Sequence, residues 1–258
     1  MKTALENEFT KLTAHFAFSM LDIEGFHADV ELAMHSSRTN FLERSKQHLE
    51  MGKSLPVFAE VLQIIEESFG SQGLDSLVES TTQNSLESLR IKSDAASVVF
   101  GHSLLDALLF KLCKLSYSLD PGDWFPLVSE RQVKVEQLLA EKPDLIVAKV
   151  AQVYVDSLER KPLNDRATLL HSMCRPTNTK EILPNYTYSE SDLKDFDQLR
   201  HKIVHGMYFR KAIPEAVSLL AYARQTGIYF INMVGNRYNL QPRLSESDLA
   251  SINKPDLS

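Results

Sequence analysis

The chain has 258 residues, with 28 Lys and Arg against 34 Asp and Glu and a formal net charge of -6. That balance argues against a strongly basic, nucleic-acid-coating surface, yet it permits an RNA contact confined to one cleft. Nine glycines and ten prolines are few for a turn-rich β fold, and Cys113 and Cys174 form no C-x-x-C pair; helix is favoured, a disulfide framework or thiolate zinc knuckle is not, and a reducing compartment fits.

In chain order, MKTALENEFTK lacks the apolar core of a signal peptide. The most hydrophobic stretch, 95–115, carries His102, Asp106, Lys111 and Lys114, so no membrane span is expected and a cytoplasmic location is. Residues 1–93 read as an N-terminal extension of several helices, punctuated by Gly25, Gly52, Gly70 and Gly73. The segment 27–51 is polar, with a thin stripe through Met34, Phe41, Leu42 and Leu49, and Pro56 can open the next helix. The Ser-, Thr-, Gln- and Asn-rich run 71–93 reads as a weak helix or connector, with a subdomain boundary at its end.

A central helix is predicted over 95–117, apolar almost all the way round and interrupted by Ser103 and Asp106. Asp120-Pro121-Gly122-Asp123 marks a turn. Shorter helices follow at 130–142, from Pro143 with a stripe Ile146, Val150, Val153 and Tyr154, and from Asn164 to Met173. The stretch 174–188 reads as a loop, the kind of segment that walls a cleft. Pro214 is expected to open the last long helix, with Val217, Leu220, Ala221, Ile228 and Ile231 inward, and 236–258 to be a polar tail. The expected class is all-α, a bundle core over 94–235 with additional N-terminal helices.

One segment stands out, SESDLKDFDQLRHKIVHGMYF at 189–209. Ser189 is placed to cap a helix, Asp192 lies in its first turn, and Gly206 offers a stop. Leu193, Phe196, Ile203 and Val204 recur at helical spacing, and Arg200 falls in the middle of their stripe. A buried, unpaired guanidinium is costly, so Arg200 needs an anionic partner or an open cleft. His205 follows five residues later, giving R-x4-H with a glycine directly after the histidine.

Arg200-His201-Lys202-Ile203-Val204-His205-Gly206 resembles the R-x4-6-H signature of HEPN domains, all-α bundles many of which are metal-independent endoribonucleases. The resemblance covers roughly 95–234 and implies an up-down four-helix bundle, RNA as substrate and no cofactor or metal. It also implies a homodimer, a toxin or defence setting, and an antitoxin or regulatory protein as partner. It casts His205 as the acid–base group and Arg200 as the phosphate clamp, since a guanidinium grips phosphate oxygens as a fork. It also offers Asp106 as partner to Arg200, with a solvated edge beside Lys111 as the alternative. His201 would orient Arg200 or touch RNA. In related toxins a tyrosine two places after the histidine is modified; here it comes one place later, at Tyr208, kept as a supporting residue that lines the cleft.

On a regular helix, side chains five apart diverge by about 140°. Two copies sharing one groove would bring Arg200 and His205 together and supply a second histidine. Bland readings stand beside these. Arg200 can be a structural arginine paired with Asp106 or Asp197, and His205 a C-terminal histidine favoured by the helix dipole. Asp197, His201 and His205, each four apart, could instead hold a metal, and a silent helical scaffold binding a protein or nucleotide is the alternative to the enzyme.

Overall fold

A computed structural model describes residues 2–128, 143–174, 182–184, 186–206, 213 and 215–240, and all regular structure among them is helical. The elements are α1 (Lys2–Ser36), α2 (Arg38–Lys53), α3 (Pro56–Leu119), a 3-10 turn Pro121–Trp124 and the short α4 (Phe125–Val128). Then come α5 (Pro143–Ser157), a 3-10 turn Leu158–Arg160, α6 (Leu163–Cys174), α7 (Glu190–Val204) and α8 (Ala216–Tyr238). The chain is all-α. The helix expected at 130–142 and the segments at 207–212 and 241–258 lie outside the described residues.

The organising element is α3, which touches α1, α2, α5, α6, α7 and α8. Pro56 sits in its first turn, where a missing N–H costs nothing, and Gly70 kinks it with φ 64° and ψ -164°. From there the helix runs unbroken through 71–93, so the boundary expected near residue 93 falls inside one helix. Tertiary packing explains this better than local propensity. Val78 and Thr82 are buried, and the Thr82 hydroxyl donates to Ser45 of α2 at 2.9 Å. Asp120 ends the helix in an extended conformation and accepts from the Gly122 amide at 2.9 Å, the turn its sequence foretold.

α1 is a single helix through Gly25, antiparallel to α3: Glu31 lies 3.6 Å from Arg90, and His27 Nε2 2.8 Å from Asp94. His27, Glu31 and Asp94 are one group with metal-ligating atoms within 4.8 Å of one another, but the buried His27–Asp94 contact is explained by clasping two helices. Further along α1, Phe9, Phe16 and Met20 enter the same core as Leu105, Leu109, Ile228 and Ile231. A Cβ on Gly227 would lie 2.1 Å from the Phe16 ring, so only glycine lets α8 approach α1 there. The first part of α1 therefore shares the core of the rest, whereas Met34, Leu62, Val78 and Ile91 are buried outside that cluster.

The inward faces differ in detail from the expected stripes. On α5, Ile146, Ala151 and Val155 are buried while Val153 is 65 % exposed. On α8, which starts at Ala216 after a left-handed Glu215, Ala216, Leu220, Ile228 and Ile231 are buried and Val217 is exposed. The two cysteines are buried free thiols. An 18-residue apolar window within Gln72–Leu119, of mean hydropathy 1.5, is half buried against its neighbours.

Candidate functional site

α7 forms as its sequence suggests. Ser189 is extended and its hydroxyl accepts from the Asp192 amide at 3.2 Å, satisfying one of the free donors of the first turn. Leu193, Phe196 and Ile203 are buried, whereas Val204 is 49 % exposed. The helix closes with the His205 and Gly206 amides donating to the His201 and Ile203 carbonyls, and Gly206 adopts φ 78°, the left-handed stop.

Against this helix lies an open cavity of about 660 Å³, walled by α3, the segment 159–166 and α7. Its chemistry is concentrated in His102, Asp106, Arg166, Asp197, Arg200 and His201. Five Lys or Arg side chains line it against three Asp or Glu, a local excess of positive charge in a chain of net charge -6. Cationic walls with anionic surroundings focus attraction for an anion on one place.

Two side-chain pairs set the geometry. His102 Nε2 lies 2.8 Å from Asp197 Oδ1, joining α3 to α7, and its ring packs at 5.4 Å from Phe196. Burial pulls the His102 pKa below its ordinary value; the Asp197 hydrogen bond and charge oppose this, and the nearby Arg200 and Arg166 charges reinforce it. Arg166, on α6, has a side chain only 3 % exposed and donates to Asp106 on α3. Burial lowers its pKa too, with the Asp197 charge opposing; it remains a cation at any working pH.

Arg200 is half-buried and lines the cavity, and its Nε has no acceptor among the described residues. The expected partner is engaged elsewhere: Asp106 lines the same cavity but binds Arg166, because α6 brings that guanidinium to the α3 wall. Asp197 is likewise taken by His102, so neither structural pairing of Arg200 is made. His201 lines the cavity, and its ring lies 4.2 Å from that of His205 one turn on, both side chains exposed. His205 itself caps the helix at the cavity's margin and is not among its lining residues. Tyr208 lies outside the described residues. The Asp197, His201 and His205 metal alternative finds Asp197 committed to His102 instead.

Sequence reasoning missed Arg166 and His102. Both carried a usable signal. Arg166 sits among Leu163, Ala167 and Leu170, all buried, the same charged residue in an apolar stripe that drew attention to Arg200. His102 and Asp106, four apart, interrupt the most apolar helix on one face. Comparison with known proteins finds no matching family model, no matching curated protein and no matching solved structure.

Proposed function

We propose that the chain is a HEPN-type endoribonuclease that cleaves RNA without a metal, with Arg200 on the phosphate and His205 as the acid–base group. In this reading α3, α6, α7 and α8 form the up-down bundle, with α1 and α2 added to it. The observation that carries it is Arg200 half-buried beside a net-positive open cavity, with no carboxylate among the described residues pairing it. A structural arginine would be expected to have closed on Asp106 or Asp197, and both are committed elsewhere. Among the described residues, that leaves the guanidinium to meet an anion from outside.

The chemistry is in-chain. A base takes the 2′-hydroxyl proton, the 2′ oxygen attacks phosphorus, and the bond from phosphorus to the 5′ oxygen breaks. An acid then protonates the departing 5′ oxygen, leaving a 2′,3′-cyclic phosphate and a 5′-hydroxyl. Arg200 neutralises charge that builds on the non-bridging oxygens. One histidine cannot perform both transfers in one step, so a homodimer presenting two copies of His205 to a shared groove belongs to the proposal. The exposed Val204 beside His205 suits such a contact. A cytoplasmic setting with a regulatory protein partner is part of the same proposal.

A second reading, the silent scaffold, draws on His205 lying at the margin of the cavity instead of in its lining. Incubating the protein with RNA in excess EDTA separates the two. Fragments ending in 2′,3′-cyclic phosphate by mass spectrometry are the expected result; intact RNA over a broad range of substrates would favour the scaffold, and cleavage abolished by EDTA would point to metal.

A further inference from the structure

We infer that Arg166 forms, together with Arg200, a two-guanidinium subsite for a phosphate group of an RNA chain. The inference rests on the RNA reading for its substrate class, but it concerns binding and needs no cleavage. Arg166 is nearly inaccessible, its side chain 3 % exposed, yet it lines the cavity. A guanidinium carries five N–H donors in a fixed fork, and Asp106 accepts from one nitrogen. The Arg166 Nε has no acceptor among the described residues, and neither does the Arg200 Nε. The two arginines, from α6 and α7, line one cavity.

Buried donors without acceptors cost free energy, and two forks together call for a ligand with several oxygens and negative charge. Phosphate has that geometry. A cavity of about 660 Å³ is much larger than one phosphate group, so the group enters as part of a longer ligand. Lys161 and Lys202 at the cavity wall extend the positive charge beyond the two arginines, as a track for a polyanionic backbone would. Asp106 is then a positioning residue. It accepts from one nitrogen of the Arg166 fork and so fixes where the guanidinium sits in the cavity wall.

The test is binding of a fluorescein-labelled, fully 2′-O-methylated oligoribonucleotide, which cannot be cleaved, by the full chain over a salt series. The informative pair is D106N and D106N/R166Q, since the double variant keeps a neutral, uncharged pair in the buried position. The double variant is expected to bind at least about tenfold more weakly than D106N. Its slope of log K against log salt should be shallower by about 0.7, one phosphate contact on a single strand. Equal affinity and slope would overturn the inference. Should the double variant lose its helical circular dichroism, R166K serves: it keeps the charge and the Asp106 partner but loses the fork, so weaker binding at unchanged slope is expected, and wild-type affinity would overturn the inference. If millimolar inorganic phosphate raises the melting temperature through Arg166 while the oligonucleotide shows no Arg166 dependence, the site takes a free phosphate and the RNA assignment fails. Arg166-dependent binding without any cleavage of ordinary RNA leaves this subsite standing and removes the nuclease reading; cleavage with binding indifferent to Arg166 does the reverse.

Discussion

At the scale of single residues, His102 makes a prediction about pH. Burial lowers its folded-state pKa below the ordinary 6.5 despite the Asp197 contact. The unfolded chain therefore binds a proton there that the folded chain refuses. By linkage, the contribution of His102 to stability is present in full above its unfolded pKa and declines as pH falls through about 6.5 toward 5. His171, also lowered by burial, adds in the same direction. Urea midpoints measured across that range should fall for the wild type, and His102→Gln should flatten part of the decline. An unchanged slope in the variant would show that the folded state leaves this imidazole free to protonate. The residue scale also marks where sequence reading reached its limit. The R-x4-H spacing, the Ser189 cap and the Gly206 stop were visible because each is encoded within one helix. The partners of Asp106 and Asp197 were not, because they arrive from α6 and α3, 60 and 95 residues away along the chain.

At the scale of elements, the close approach of α8 to α1 depends on one missing side chain. Gly227 faces the ring of Phe16, which is 2 % exposed. Gly227→Ala should destabilise the fold by about 1–3 kcal/mol, the usual cost of overpacking a filled core. Chemical denaturation measures this, and Phe16→Leu in the same background should recover part of the loss. A variant as stable as wild type would mean that α1 shifts freely on α8. Helix existence was legible over most of the chain, since Pro56, Pro143, Asp120 and Ser189 act locally. Helix length was not. Gly25 and the polar run 71–93 look like breaks, but burial of Val78, Thr82 and Ile91 against neighbouring helices carries α3 straight through. For the same reason the start of α1 reads in sequence as part of an appendage, while Phe9, Phe16 and Met20 are core.

At the scale of the whole molecule, charge is unevenly placed. An acidic chain keeps a net-positive cavity where α3, α6 and α7 meet, and composition alone cannot show that because it averages over the surface. The two carboxylates expected to pair with Arg200 are engaged by Arg166 and His102, and those two pairs tie α6 and α7 to α3. The proposal therefore turns on whether Arg200 and His205 act chemically on RNA bound there. The most direct measurement is the single-turnover rate of RNA cleavage in EDTA, at saturating protein, for wild type, His205→Ala and Arg200→Ala with helical content verified. The account predicts a loss of about a hundredfold or more for His205→Ala, the scale of one general acid–base group, and a comparable loss for Arg200→Ala with both folds intact. Cleavage at the wild-type rate by folded His205→Ala protein would contradict it.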